Sequence, residues 1–538
     1  MPALRDFEQP GRSAVHAPVA MASTSQPLST TTALDILKKG GNAMDAAIAA
    51  CAVQCVVEPQ STGIGGDCFC LYAPAGSNDI VGYNGSGRAP KGMSVDYLQQ
   101  HGLQLERTSP HSVIVPGAVD AWCQLHADHG RLPFTDLMQP AITYAMEGFP
   151  VAPRVIQDTL AQQELFQQSA GLSRIFEPEG RPMQPGDLLV QKALGKSLQQ
   201  IAADGRDAFY KGEIAEDIVG TLSALGGLHT LDDFAGAKGD YVTPISADFR
   251  DHTIFECPPN GQGMIALLLL NIMSQFDVDP DPMSVERIHL EIEACRLAYQ
   301  TRTRYLADPA QVDVPVDEIL SMDFAKKLSA QIDRSKANEV ADVSVTMGAP
   351  HHDTVYITVV DSERNACSFI NTLFMSYGGG IVAENSGVVL TNRGEGFVTD
   401  PASPNCIAPG KRPLHTIIPG MIKHKGRTVM PFGVMGGEYQ AMGHMQFLTR
   451  WLDYDCDVQQ AQDMPRFMVS PFTQEVEIES GVSDDTFNQL RSRGHRIDRS
   501  TSPIGGSQAI HIRYLDDSDT SVLVGGSDPR KDGHASGY

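Results

Sequence analysis

The sequence predicts a mixed fold of the α/β or α+β class, for three reasons. The chain has 538 residues, of which 42% are hydrophobic and 20% charged, enough for one large α/β domain with insertions or for two or more folding units. Helical spacing of apolar residues is frequent before residue 334, especially over 131–236. From residue 354 onward, β-rich runs alternate with turns, and one helix is predicted near 439–452.

The first half of the chain contains the clearest single elements. Residues 43–57 are apolar almost all round, which predicts a buried helix. The glycine-dense loop 58–67 then leads into a predicted strand at 68–72, and its glycines indicate a positive φ or a close backbone approach. A further helix is predicted over 283–305, before Ala307-Asp308-Pro309.

Residues 334–353 are polar and have little periodicity, which predicts a flexible connector. Two β-rich runs follow within 354–374, separated by the polar turn 362–365, and this pattern predicts a hairpin. A mobile segment that meets a rigid strand at one peptide bond suits a processing site. It suits a domain linker equally well.

The first residue of this hairpin, Thr354, carries a hydroxyl. If the Asp353–Thr354 bond is cut, Thr354 gains a free α-amine beside its own Oγ, and an α-amine with a pKa of about 7.7–8.0 can accept the hydroxyl proton near neutral pH. Nucleophile and base then belong to one residue, the arrangement of N-terminal-threonine acyl transfer. An ordinary buried hairpin has the same local pattern.

The net charge is −24 and the pI is about 5.0, which argues against nucleic acid or an anionic membrane as a partner but leaves local sites for small anions open. No run of 18 apolar residues predicts a membrane-spanning helix, and residues 1–8 lack the basic and apolar parts of a secretion signal. The ten cysteines form no paired CxxC set. We therefore expect reduced thiols and a cytoplasmic location.

Cofactor and metal motifs are not convincing. Leu194-Gly195-Lys196-Ser197 resembles the end of a phosphate-binding loop, but Val190 occupies the position of its first glycine. His351-His352-Asp353 is a poor metal site because consecutive histidines rarely share a metal ion. Gly378-Gly379-Gly380 lacks the strand–glycine–helix context of a dinucleotide site. No cofactor and no metal are predicted, and no G-x-S-x-G motif supports a serine hydrolase.

Short motifs recur from about residue 13 to the end of the chain. They are Gly40-Gly41-Asn42-Ala43, Asp45-Ala46-Ala47, Val57-Glu58-Pro59, Gly63-Ile64-Gly65-Gly66, Val115-Pro116-Gly117, Ala298-Tyr299, Arg304-Tyr305-Leu306, Asp308-Pro309, Gly380-Ile381-Val382-Ala383, Ser386-Gly387, Arg412-Pro413-Leu414, Gly436-Gly437, Pro465-Arg466-Phe467 and Ser527-Asp528-Pro529-Arg530. With the hairpin, they make the chain similar to the γ-glutamyltranspeptidase family of N-terminal-nucleophile hydrolases.

This resemblance implies a four-layer αββα sandwich and a precursor that cleaves itself at Asp353–Thr354. Residues 1–353 would be the large (α) subunit, with 334–353 as the segment before the cut, and 354–538 the small (β) catalytic subunit. The two would form one intertwined domain and a heterodimer; pairing into a dimer of heterodimers is left open. By the same resemblance, Thr354 is the nucleophile, Thr372 contacts it, and the amides of Gly436 and Gly437 form the oxyanion hole.

Departures from the family pattern concern the substrate. The asparagine, glutamine and aspartate that hold the glutamyl α-amine in the family correspond here to Phe374, Arg393 and Gly396. The paired serines that hold its carboxylate correspond to His415 and Thr416. The carboxylate-binding arginine corresponds to Ser86, with Arg88 two residues away.

Gain of a cation and loss of an acid favour an anionic or neutral group over an α-ammonium. The predicted substrate-binding residues are Arg88, Phe374, Arg393, His415 and Thr416. We expect a small anionic amide such as oxamate, hydrolysed to oxalate and ammonia. The alternatives are a cephalosporin or glutaryl-amide acylase, a γ-glutamyl hydrolase or transferase, and an unprocessed protein that binds a ligand without catalysis.

Overall fold

The computed structural model describes residues 11–338, 354–515 and 518–538. Asp353 and most of the predicted connector 334–353, that is 339–353, lie outside the described residues, as do His351 and His352. The strands in chain order are β1 Val15–Ala17, β2 Met21–Thr24, β3 Asp67–Ala73, β4 Val81–Gly85, β5 Phe149–Pro150, β6 Leu188–Leu189, β7 Asp240–Val242, β8 Ile245–Phe249, β9 His252–Glu256, β10 Val355–Val360, β11 Ala366–Thr372, β12 Val382–Ala383, β13 Val388–Val389, β14 Pro419–His424, β15 Arg427–Met435, β16 Phe467–Val469, β17 Val476–Ile478, β18 Ile497–Arg499, β19 Gly506–Tyr514, β20 Ser521–Ser527 and β21 His534–Gly537.

The α-helices are α1 Pro27–Lys38, α2 Ala43–Val57, α3 Val95–His101, α4 Ala118–His129, α5 Phe134–Glu147, α6 Pro153–Leu160, α7 Gln163–Gln168, α8 Ala170–Phe176, α9 Lys192–Asp204, α10 Arg206–Tyr210, α11 Glu213–Ala224, α12 Leu231–Ala235, α13 Gly263–Met273, α14 Val285–Tyr305, α15 Val316–Ile319, α16 Met322–Ser329, α17 Tyr439–Asp453, α18 Val458–Asp463 and α19 Asp484–Ser492. Short 3₁₀ helices cover Pro110–Ser112 and Arg393–Gly396. Among the described residues, no helix is both long enough and apolar enough to span a bilayer.

Two antiparallel seven-stranded sheets form the centre of the molecule. One has the order β1-β20-β19-β15-β14-β9-β8, and the other β21-β2-β10-β11-β3-β4-β7. Apolar side chains from both sheets, such as Phe69 and Tyr356 from one and Met421 and Ile510 from the other, form a core between them. Because each sheet has a second apolar face, each needs a helical layer on its outer side.

The helical layers supply these outer cores. Helices α1, α2 and α4 pack against the sheet that contains β10, and α13 and α17 pack against the other. Helix α5 packs on α2, and α14 packs on α13. The result is the αββα order that the resemblance implied, so this prediction of the fold is confirmed.

Individual elements agree well with their patterns. Helix α2 has the predicted bounds and all of its residues are buried. The hairpin forms as β10 and β11, in which Val355 pairs with Asn371. Helices α14 and α17 begin or end within two residues of their predicted bounds, since regular apolar spacing ends where each helix ends. Both sheets contain strands from before and after residue 354.

Candidate active site

Thr354 lies directly before β10, and the hairpin register places it opposite Thr372, the last residue of β11. The two Oγ1 atoms are 3.2 Å apart, within hydrogen-bonding distance. Thr372 Oγ1 also accepts a hydrogen bond of 2.9 Å from the amide of Phe374. Thr372 can therefore hold the Thr354 hydroxyl in a fixed position, as the sequence comparison implied.

The glycine-dense loop 58–67, which leads into β3, allows the β10–β11 hairpin to pack closely against the loop backbone. A Cβ on Gly66 would lie 2.0 Å from the Thr372 carbonyl oxygen, so only glycine fits there. The next residue, Asp67, pairs with Thr372 in the sheet. The loop thus brings an aspartate beside the hydroxyl pair, and the close backbone approach predicted for it is confirmed.

Arg393 and Phe374 form a stacked pair near the two threonines. Phe374 has a φ of 78°, and the Cζ atom of Arg393 lies 3.7 Å from the centre of its ring. Arg393 is only 1% exposed, and its NH1 donates to Thr416 Oγ1 at 3.1 Å. Its Nε and NH2 are buried and have no acceptor among the described residues. A cation in this position can bind a carboxylate.

The charge of Arg393 is balanced only in part. Burial lowers the pKa of Arg393 to about 9, although the charges of Asp67, Glu438 and Glu395 oppose this shift. A guanidinium with that pKa remains protonated at neutral pH. An anionic ligand would therefore supply a partner to a buried charge that the protein balances only in part, which is a strong basis for selectivity.

His415 is hydrogen-bonded on both ring nitrogens. Its Nδ1 accepts from the Ile417 amide at 3.3 Å, so Nε2 carries the proton and donates to Asp67 Oδ2 at 2.9 Å. Burial, and next the charge of Arg393, lowers the pKa of His415 to about 4, so the ring is neutral. Asp67 Oδ1 accepts from the Gly87 amide at 2.8 Å. His415 thus orients Asp67, and a direct contact with substrate stays a prediction that these bonds do not favour.

Gly436 and Gly437 connect β15 to α17 with φ values of 125° and 54°. Among the described residues, neither amide N–H donates to a protein acceptor. A Cβ on Gly436 would lie 2.9 Å from the Cα of Gly505, so the turn requires glycine there. Two adjacent amides of this kind are suited to a developing oxyanion.

Three residues that the sequence analysis missed support this turn. The Nε2 of Gln262 donates to the Gly437 carbonyl at 3.1 Å and to the Thr416 carbonyl at 2.8 Å. Arg302 NH1 donates to Gln262 Oε1 at 3.0 Å and forms an ion pair with Glu438. Gln262 therefore links the oxyanion turn to the residue that holds Arg393. The family-like motifs at 298–309 surround Arg302 and were the only sequence feature that indicated it. No sequence feature indicated Gln262.

Arg88 pairs with two carboxylates and not with the described residues around Thr354. Its NH2 lies 3.2 Å from Asp240 Oδ2 and its NH1 3.4 Å from Asp308 Oδ2. Arg412 shares Asp240 at 2.8 Å. No contact among the described residues joins Arg88 to Arg393 or to the threonine pair, so its role in substrate binding remains a prediction that the ion pairs weaken.

A cavity of about 680 Å³ lies beside the site. Glu395 contributes to its wall and belongs to the same 3₁₀ helix as Arg393, and Arg302 contributes from the support of the oxyanion turn. The side chains of Leu98, Leu103, Leu105 and Phe397 give the cavity an apolar part. The cavity is large enough for a group bigger than ammonia, but Thr354, Gly436, Gly437 and Arg393 do not line it.

The chain is similar to several known proteins. The sequence profile of the family described as Gamma-glutamyltranspeptidase matches residues 29–538. A glutathione hydrolase-like proenzyme (YwrD) of Bacillus subtilis is 36% identical, over 93% of this chain and 95% of its own. The oxamate amidohydrolase proenzyme of Klebsiella pneumoniae is 30% identical, over 96% and 98%. The crystal structure of cephalosporin acylase from Bacillus halodurans has a TM-score of 0.91 and 35% identity, over 100% and 99%.

Proposed function

The chain belongs to the γ-glutamyltranspeptidase family and is an N-terminal-nucleophile hydrolase that acts on amide C–N bonds, and we propose that its substrate is a small amide with a carboxylate on the acyl group, oxamate above all. The buried guanidinium of Arg393 carries this proposal. It stacks on Phe374, donates to Thr416 and has two further donor nitrogens for an anion. The glutathione type of substrate is disfavoured, because its α-ammonium would face this cation.

The precursor matures by cleavage before Thr354, which yields subunits 1–353 and 354–538. The proenzyme names of the relatives support a processed precursor. A cytoplasmic location is part of the proposal, and the ten free cysteines support it.

In the reaction, Thr354 Oγ attacks the amide carbonyl carbon while its own α-amine takes the hydroxyl proton. The amides of Gly436 and Gly437 stabilise the tetrahedral oxyanion. Collapse breaks the C–N bond, and the protonated amine gives its proton to the leaving nitrogen. Water then hydrolyses the ester on Thr354 by the same proton path in reverse. Thr372 keeps the hydroxyl in place throughout.

The cavity of about 680 Å³ favours a second candidate, an acylase that cleaves a carboxylated acyl chain from a bulky amine. Oxamate releases only ammonia and needs no such space. The similarity to cephalosporin acylase supports this candidate as well. In both reactions Arg393 binds the acyl carboxylate, and they differ in the size of the acyl and leaving groups.

The test compares kcat/KM for oxamate, its neutral analogue oxamide, a glutaryl amide with a bulky amine, and a γ-glutamyl anilide. The protein is first shown by intact mass to contain a fragment that begins at Thr354. We expect oxamate to exceed oxamide by about 100-fold or more, since a buried site for a charged group strongly rejects an analogue that lacks it.

A preference for the glutaryl amide over oxamate would select the acylase candidate. A preference for oxamide or for the γ-glutamyl anilide would contradict both candidates. Added amines that divert the acyl group from water would identify a transferase, and an uncut chain without turnover would leave the binding-protein alternative.

A further inference from the structure

Two turns meet at the end of β14 that lies away from the catalytic residues. Strand β14 begins three residues after Thr416 and ends at His424, about 17 Å further along at about 3.3 Å per residue. In the neighbouring strand β9, His252 lies directly opposite His424. The mechanism proposed above uses neither histidine.

Asp251, which precedes β9, faces both rings. Its Oδ1 lies 2.8 Å from His252 Nδ1 and its Oδ2 lies 3.5 Å from His424 Nδ1. The two ring centres are 4.5 Å apart. One ligand atom from each residue lies within 4.8 Å of the other two. The separations of 2.8 and 3.5 Å between carboxylate oxygens and ring nitrogens are near the roughly 3.4 Å between ligand atoms of a tetrahedral zinc site, whose bonds are about 2.0–2.2 Å.

The contacts around His252 support a ligand role. Its Nδ1 makes no well-aligned hydrogen bond, although Asp251 is near. The rings of Trp451 and His252 pack edge to face with centres 5.2 Å apart, which restrains the orientation of His252. The nearby cation Arg250 is neutralised by Asp453 at 2.6 Å.

We propose that Asp251, His252 and His424 form a binding site for one divalent cation of the zinc type. Two imidazole nitrogens and one carboxylate oxygen are ligands that Zn²⁺ prefers, and water completes a tetrahedral set on the solvent side, where Asp251 is 71% exposed. Without the cation, the His424 Nδ1–H can donate to the Asp251 carbonyl at 3.1 Å. When Nδ1 binds the cation, the proton moves to Nε2, so the ring stays neutral and the hydrogen bond to the carbonyl is replaced by the metal bond.

The bound cation connects the β8–β9 turn to the β14–β15 turn. It stabilises this end of strands β9 and β14 and takes no part in amide hydrolysis. The experiment is isothermal titration of the full chain with zinc chloride, for the wild type, the double variant His252→Ala/His424→Ala, and Asp251→Ala. His101→Ala is the matched control, since His101 is exposed, stacks on Tyr97 and contacts a backbone carbonyl at 2.9 Å.

We expect one zinc ion per chain to bind to the wild type and to His101→Ala. The double variant should lose this binding, and Asp251→Ala should bind more than about 100-fold more weakly, because loss of an outer partner alone costs about 10- to 100-fold. Excess zinc should raise the melting temperature of the wild type only. Cobalt should show the intense visible absorption of a four-coordinate site.

Equal zinc binding by the wild type and the double variant would overturn the proposal, as would a wild type that binds no zinc. Amide hydrolysis without added metal should be the same in all variants, which shows that each is folded. If the double variant does not fold, zinc binding by Asp251→Ala alone tests the proposal, since that exposed side chain can be truncated without harm to the core.

Discussion

The Cζ atom of Arg393 lies 3.7 Å from the centre of the Phe374 ring, and Phe374 is two residues from Thr372, whose hydroxyl contacts the candidate nucleophile. Arg393→Met should raise KM for oxamate by about 10- to 100-fold, since a hydrogen bond to a charged group contributes about 1.5–3 kcal/mol. Turnover of oxamide should change little. Steady-state kinetics on both substrates measure this.

The matched control is Arg427→Met, because Arg427 stacks on Tyr514 at the same 3.7 Å but on the surface. This variant should have wild-type kinetics. Equal KM values for oxamate in Arg393→Met and the wild type would show that the arginine does not bind the acyl carboxylate.

Thr354→Ala should lose amide hydrolysis by about 10⁴-fold or more, because nucleophile and base act as one unit. It should also remain a single chain in denaturing mass spectrometry. Thr358→Ala is the control, since Thr358 is buried on the same strand and donates to the Pro431 carbonyl. Cleavage and turnover at the wild-type rate in Thr354→Ala would contradict the mechanism.

Gly436→Ala should lower kcat by about 100-fold or more, because its Cβ would meet Gly505 at 2.9 Å and displace an oxyanion donor. Gly426 also has a positive φ, of 77°, but a Cβ there would meet nothing within 4 Å. Gly426→Ala should therefore cost about 1 kcal/mol of stability and no activity. The same loss of kcat in both variants would indicate a general effect on folding.

Gln262→Leu should lower kcat/KM by about tenfold or more, because the Gly437 and Thr416 carbonyls lose their shared donor. Gln446→Leu removes another buried glutamine, which donates to the Phe467 carbonyl. It should reduce the melting temperature without reducing kcat. If both variants lose stability and neither loses activity, Gln262 is structural only.

The buried neutral ring of His415 should make stability depend on pH. Its folded pKa of about 4 lies below the unfolded value of about 6.5, so the unfolded chain binds more protons between these values. The contribution is complete above pH 6.5 and falls by about 3 kcal/mol as the pH drops to 4. The free energy of unfolding, measured with urea, should therefore fall less with decreasing pH in His415→Asn, whose side chain cannot titrate, than in the wild type. In His16→Asn, a change at an exposed residue, it should fall as in the wild type.

Local pattern was enough to predict α2, the hairpin β10–β11 and α17, since each has regular apolar spacing or an uninterrupted apolar run. The resemblance to the family implied that Thr372 contacts Thr354. Their hydroxyl contact follows from the hairpin register, which is a local property. The hairpin, and with it the position of one threonine opposite the other, was therefore predictable from the local sequence.

Other contacts join residues far apart in the chain and had no local signal. Asp67 and His415 are 348 positions apart, and Gln262 meets Gly437 across 175. Alignment gives a position but no side-chain direction, so His415 was expected to face the substrate whereas its nitrogens bond within the protein. Arg88 was chosen by proximity in sequence and pairs with two carboxylates.

Strand β10 lies between β2 and β11, and β11 lies beside β3. This strand order affects how the two fragments could assemble. After a cut before Thr354, each fragment would keep strands whose hydrogen-bonding partners belong to the other fragment. Folding of two separately made halves would be a bimolecular reaction, and its yield would depend on their concentration. The uncut chain avoids this dependence, because the covalent link gives each half a high effective concentration of the other until the sheets have closed.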